Sequence, residues 1–268
     1  MLALDHIYNM DCLEGMKMIP DNSIDCIICD LPYGTTACAW DSIIPFDKLW
    51  EQYHRVSKPN APIVLFGSEP FSTMLRMSNL KDWRYDWIWD KDKGSGFANA
   101  NKMPLKAHEI ISVFYGKLPT YNPQKEVGRP YHCSAHVRLK NNEALSARTL
   151  SEEEKADISK VKSRANIAAV YQTETKNNGD RFPTSVLRFP REFNGFHPTQ
   201  KPVNLLRYLI ATYSNEGDTI LDNCMGSGTT AIACIKEQRH YIGFELNEEY
   251  YKNALKRIEA ETIQGTLF

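Results

Sequence analysis

The sequence predicts an α/β protein in which a parallel sheet flanked by helices is interrupted by an irregular insertion. Short apolar runs alternate with amphipathic stretches toward both ends of the chain, the rhythm of β-α-β units. Two of these runs end in loops, Asp30-Leu31-Pro32-Tyr33-Gly34 and Gly226-Ser227-Gly228-Thr229-Thr230, and the carboxyl ends of parallel strands are where open sheets bind ligands. Between them, residues 116–195 are polar and broken by Pro119, Pro123, Pro130, Pro183 and Pro190, which ends the rhythm.

The elements follow in order. His6 to Tyr8 reads as a short strand, Cys12 to Met18 as an amphipathic stretch, and the apolar run Ile24 to Cys29 as a buried strand. Pro45 to Val56 is helical in pattern, Pro62 to Phe66 is a second apolar strand, and Gly67-Ser68-Glu69-Pro70 is another strand-end loop. Trp83, Tyr85, Trp87 and Trp89 alternate along a strand, read as an aromatic sheet face rather than a base-stacking platform, and Ile110 to Tyr115 is strand-like. Within the insertion, Ser151-x-x-Glu154 is a capping box that opens one helix. After Pro202, Leu205, Leu206, Leu209 and Ile210 share one face of a helix from Asn204 to Tyr213. Strand Thr219 to Asp222, a helix to about Gln238, strand Tyr241 to Phe244 and a helix from Glu248 complete the pattern.

The chain has 268 residues, 42% hydrophobic and 24% charged, enough to bury a large core and too apolar for disorder. No run approaches the roughly 18 apolar residues of a membrane span, and the first residues lack a signal-peptide pattern, so a cytoplasmic protein without a membrane partner is expected. Seven scattered cysteines argue against a disulfide scaffold. Cys26 and Cys29 form a CxxC, but inside a buried-strand pattern, and His132, Cys133 and His136 lack a second ligand pair at zinc spacing, so no metal is expected. Residues 1–80 hold 5 Lys/Arg and 10 Asp/Glu, residues 81–195 hold 20 and 14, and residues 196–268 hold 7 and 9. A basic middle between acidic ends suits a nucleic-acid face or a solvated surface equally.

The second loop lacks the lysine of a phosphate-binding Walker loop, and Ala231 stands where a dinucleotide fingerprint has its third glycine. Glu245 ends the next strand, where a carboxylate can accept both ribose hydroxyls. A nucleoside without a pyrophosphate fits, and S-adenosyl-L-methionine is one. With a methyl donor in the second loop, the first acquires a chemistry. An exocyclic base amine is a poor nucleophile, and two acceptors aim its lone pair: the Asp30 carboxylate and the Leu31 carbonyl, which Pro32 restricts to an extended conformation. Tyr33 would stack on a base swung out of a duplex.

These residues resemble the DNA amino-methyltransferases of the permuted class, in which the catalytic motif precedes the cofactor loop. Asp30-Leu31-Pro32-Tyr33 is similar to that family's Asp-Pro-Pro-Tyr motif, Asp222 to Thr230 to its Asp-Pro-Phe-x-Gly-Ser-Gly-Thr-Thr loop, and His197-Pro198-Thr199-Gln200-Lys201-Pro202 to the segment before that loop. Leu31 replaces a proline, and Asn223 and Cys224 replace Pro-Phe. His108-Glu109 is similar to a pair near that family's flipped-base pocket, or is a sheet-edge histidine with its neighbour.

The resemblance implies a Rossmann-like S-adenosylmethionine-dependent methyltransferase sheet, circularly permuted. Residues 1–115 and 196–268 would form the catalytic and cofactor domain, with 116–195 as a target-recognition insertion. It implies Asp30, Leu31, Pro32 and Tyr33 as catalytic, and His197, Thr199 and Lys201 at the methionine end of the cofactor. Asp222, Asn223, Gly226, Gly228 and Thr229 would form the cofactor loop, with Glu245 on the ribose and Asp11 near the adenine. The implied activity is methylation of adenine N6 in double-stranded DNA by a homodimer, since the similar cytosine-N4 enzymes more often carry serine at the position of Asp30. Cytosine-N4 transfer, an inactive DNA-binding relative and an RNA methyltransferase are the alternatives.

Overall fold

A computed structural model describes residues 2–35, 41–134, 136–138, 144–146, 174–192 and 200–265. The chain divides into two compact units, one made of Met1–Gln124 with Thr184–Phe268 and the other of Lys125–Pro183.

In the larger unit, β1 (His6–Tyr8), α1 (Cys12–Met16), β2 (Cys26–Asp30), α2 (Phe46–Val56), β3 (Ile63–Gly67), α3 (Phe71–Ser78), β4 (Trp83–Ser95) and β5 (Lys106–Phe114) follow one another from the amino end. The smaller unit carries three two-stranded pairings: β6 (Glu126–Val127) with β11 (Asp180–Arg181), β7 (Tyr131–Ser134) with β10 (Glu174–Asn177), and β8 (His136–Arg138) with β9 (Ala144–Ser146). The larger unit resumes with β12 (Val186–Arg188), α4 (Val203–Tyr213), β13 (Thr219–Asp222), α5 (Thr229–Lys236), β14 (His240–Phe244) and α6 (Glu248–Gly265). The expected helix at Ser151 lies outside the described residues.

Eight strands make one sheet in the order β1-β14-β13-β2-β3-β5-β4-β12. The first five are mutually parallel, β5 runs antiparallel to β3 and β4, and β12 joins β4 in parallel. This is the expected α/β sheet, and its order places the site. From β2 the chain steps outward to β3, and from β13 it steps the other way to β14. The direction therefore reverses between β2 and β13, strands from opposite ends of the sequence, and such a switch point opens a crevice at the strand ends.

The two-residue period of each strand explains why both faces are covered. Cys26, Ile28, Val64 and Phe66 point into a core with Leu205, Leu209 and Ile210 of α4 and Ala231 and Cys234 of α5. Ile27, Cys29, Ile63 and Leu65 point to the other face, against Met16, Leu49, Trp50, Tyr53 and Leu75. Cys26 and Cys29 therefore face opposite sides of the sheet and are no pair. Trp87 and Trp89 are buried and donate their indole N–H to Tyr213 Oη at 2.6 Å and to the Phe189 carbonyl at 2.8 Å, so this aromatic face is core.

The smaller unit is narrower than the 116–195 stretch because both flanks belong to the sheet unit. Asn122 N–H donates to the Thr212 carbonyl at 2.7 Å, and β12 pairs with Ile88 to Asp90. Among the described residues, no helix is long and apolar enough to cross a membrane.

Candidate active site

The loop after β13 is shaped by the residues that precede it. Asp222 accepts from the Cys224 amide at 3.0 Å and from Thr230 Oγ1 at 2.5 Å, so its carboxylate closes the turn on itself. Burial pushes that carboxyl up to about 6. Gly226 takes the left-handed conformation, φ 54°, and its N–H donates to Glu245 Oε2 at 2.8 Å. The other carboxylate oxygen of Glu245 accepts the Asn247 amide at 2.8 Å. Arg257 of α6, buried, donates to the Ser227 carbonyl at 3.0 Å and to Thr229 Oγ1 at 2.8 Å, pinning the loop from behind.

On the neighbouring strand, Asp30 ends β2 and its side chain is 27% exposed. Both of its oxygens are engaged: Tyr33 Oη donates to Oδ1 at 2.6 Å and Lys201 Nζ lies 2.5 Å from Oδ2. Tyr33 stacks on Phe71, ring centroids 5.0 Å apart. Lys201 also reaches Glu109 Oε2 at 3.3 Å, and Lys91 meets Glu109 Oε1 at 3.0 Å. Burial pushes the Asp30 carboxyl above the usual carboxylate range, Lys201 opposes this and Glu109 adds to it. For Glu109 the two lysines outweigh burial and hold it low; for Lys201 the two carboxylates outweigh burial and hold it high.

Both clusters open on one cavity of about 260 Å³. Asp11, Asp30, Leu31, Pro32, Tyr33, Lys201, Asp222, Asn223, Gly226, Thr229 and Glu245 all line it. Asp11 does so as the cap of α1, with Oδ1 accepting from the Leu13 and Glu14 amides at 2.9 and 3.1 Å. The Asn223 side chain is buried and already engaged: Tyr53 Oη donates to its oxygen at 2.5 Å, and its nitrogen reaches Cys12 and Cys224 Sγ at 3.6 and 3.5 Å. Gly228 is not in the lining; at φ 77° it faces α6, where a Cβ would sit 3.1 Å from Ala254 Cβ. Lys201, read from sequence as a cofactor residue, lines the cavity and is bonded to Asp30. His197 and Thr199 lie outside the described residues. Among the described residues no cluster of three His, Cys, Asp or Glu could hold a metal.

A family model, N6_N4_Mtase, described as DNA methylase, matches residues 24–256, most of the chain and both loops of this cavity. The chain belongs to the DNA methylase family. This DNA methylase is 28% identical to the DNA adenine methyltransferase YhdJ of Escherichia coli K12 over 94% of the chain and 82% of that protein. It is 27% identical to the type II methyltransferase M1.MboII of Moraxella bovis over 95% and 96%. The methylase fold is similar to the crystal structure of the M1.HpyAVI-SAM complex, TM-score 0.57 at 22% identity, covering 94% of this chain and 98% of that one. It is also similar to the cytosine-N4-specific PvuII DNA methyltransferase, TM-score 0.61 at 15% identity, covering 96% and 89%.

Sequence reading of the methylase misses several lining residues. Glu109 is visible there only as half of a His-Glu pair, because its partner Lys201 arrives from a distant loop, and Lys91, which is outside the lining but pairs with Glu109 at 3.0 Å, carries no signal. Asp41, which accepts the Gly34 and Thr35 amides at 2.8 and 2.9 Å, closes the catalytic loop without any motif of its own. Gln200 lies inside a quoted motif, yet its burial against the cavity with neither amide atom hydrogen-bonded among the described residues cannot be read there.

Proposed function

We propose that this DNA methylase transfers a methyl group from S-adenosyl-L-methionine to the N6 amine of an adenine flipped out of double-stranded DNA. The observation that carries the reading is the opening of Asp30 and of the Gly226–Glu245 turn onto one cavity.

The lining suits the cofactor. Glu245 is anchored by two amides with lone pairs left for ribose hydroxyls. Gln200, with neither amide atom hydrogen-bonded among the described residues, offers a donor to the carboxylate and an acceptor to the ammonium of a methionine end, and Asp11 lines the same cavity for the adenine. When bound there, S-adenosylmethionine supplies an electrophilic sulfonium methyl whose carbon–sulfur bonding pair stays with sulfur.

The chain's own groups prepare the amine. Asp30 accepts one N6–H and the Leu31 carbonyl the other, which turns the nitrogen lone pair toward the methyl. As the nitrogen–carbon bond forms, N6 becomes cationic and sheds one proton to the Asp30 carboxylate, then to solvent. Tyr33, braced by Phe71 and by its bond to Asp30, offers its ring to the flipped base. Target recognition is assigned to the insertion at 116–195, within the basic middle of the chain, and self-association as a homodimer belongs to the same reading, tested by sedimentation.

The test is mass spectrometry of nucleosides from duplex DNA and RNA incubated with the protein and S-adenosylmethionine. N6-methyladenine in the DNA is expected. N4-methylcytosine alone would overturn the base, and methylation confined to RNA would overturn the polymer.

A further inference from the structure

Lys91, Glu109, Lys201 and Asp30 form a linear chain of alternating charge, with links of 3.0, 3.3 and 2.5 Å. The side chains of Lys91, Glu109 and Lys201 are 7%, 16% and 8% exposed, so water screens these links little. Two cations and two carboxylates sum to zero, which lets four charges sit together away from solvent. Lys201 lies at the centre of this chain with its ammonium 5.2 Å from the Phe66 ring centroid and 5.9 Å from that of Tyr33. Glu109 stands on one side of its ammonium and Asp30 on the other, so the two carboxylates share one cation.

We propose that Lys201 and Glu109 together set the charge of Asp30, Lys201 drawing it toward the ion and Glu109, on the other side of the same ammonium, moderating that pull. This deepens the methyl-transfer reading and rests on it for the role of Asp30. A carboxylate that is to receive an amine N–H must be ionised when the base arrives, and it must still release the proton it collects. Burial alone favours the neutral acid; a cation in contact favours the ion; a second carboxylate beyond that cation moderates the effect. The groups facing Asp30 are Lys201 from the segment before α4, Glu109 from β5, Asp222 from β13, and Tyr33 and Cys29 from its own strand and loop. Among the charged groups, Asp222 ends a strand beside Asp30, whereas Lys201 and Glu109 lie away from both strand ends and have uncharged counterparts of similar length.

The two substitutions have opposite signs. Lys201→Met removes the cation and should raise the Asp30 midpoint by about one pH unit or more, while Glu109→Gln removes the moderating carboxylate and should lower it. Lys201→Arg, which keeps the charge, should return it toward the parent value. Simple loosening of the site would admit water and lower the midpoint in both variants.

The experiment is a carbon-13 NMR titration of the ligand-free protein labelled at aspartate side-chain carboxyls, the Asp30 signal being identified by its loss in Asp30→Asn. Circular dichroism confirms that each variant is folded, and Lys201→Arg decides the matter should Lys201→Met fail to fold. Opposite shifts, or for Lys201→Arg a midpoint near the parent with Glu109→Gln below it, support the proposal. Shifts in the same direction, or none, overturn it. The acid limb of kcat/KM should follow the same midpoints. A protein that methylates nothing would defeat the proposed function while leaving the titration to decide the charge relay.

Discussion

The Gly226 amide donates to Glu245 Oε2 across 2.8 Å, and this bond ties the turn after β13 to the end of β14. Glu245 thus holds the loop and faces the cavity at once, with burial pushing its carboxyl up against the pull of its amide partners. Glu245→Ala should weaken S-adenosylmethionine binding about 10- to 100-fold, the cost of losing charged hydrogen bonds of about 1.5–3 kcal/mol. Isothermal titration calorimetry measures this, and an affinity within twofold of the parent would remove the ribose assignment.

Asp30→Ala should lower methyl transfer at least about 100-fold while changing cofactor affinity by no more than a few-fold. Tritiated methyl transfer and calorimetry separate the two. Near-parent turnover would show that the amine is aimed by some other group.

Gly228 lies at φ 77° with Ala254 Cβ 3.1 Å from where its own Cβ would stand. A side chain there meets both backbone strain and α6, so Gly228→Ala should destabilise the fold by about 1–3 kcal/mol. The loss should appear in urea unfolding rather than in cofactor affinity of the folded protein. An unchanged midpoint would mean that α6 does not press on this turn.

Asp222 has its carboxyl pushed from 3.8 up to about 6 by burial. A raised acid binds its proton more tightly when folded, so its contribution to stability is fullest below pH 4 and falls as pH climbs to about 6. In Asp222→Asn the amide cannot titrate, yet it can bond both partners, its oxygen accepting from the Cys224 amide and its nitrogen donating to Thr230 Oγ1. Between those limits the parent should lose on the order of 3 kcal/mol relative to this variant, with the difference level above them. Urea midpoints across this range provide the check, and a level difference throughout would contradict it.

The strands and both loops were legible because their signals are local. Ile27 and Ile28 alternate faces within one run, and Gly226 marks a turn that needs a positive φ. The resemblance joins the two motifs in one methyltransferase sheet without giving a strand order, and the structure sets β2 beside β13. What stayed hidden depends on tertiary partners. Lys201 is 171 residues from Asp30 in the chain, and nothing near either residue encodes their pairing. Val186 to Arg188 is an edge strand only three residues long in proline-flanked polar text, so it reads as part of the insertion. Asn223 lines the cavity as its place in the loop suggests, but the bond of its side-chain oxygen to Tyr53 has no sequence signal.

The most direct measurement is a crystal structure with S-adenosylmethionine bound. The expected result is a ribose on Glu245 and a sulfonium methyl turned toward Asp30. A ligand seated outside this cavity, or one whose methyl points away from Asp30, would contradict the assignment of both loops to one reaction.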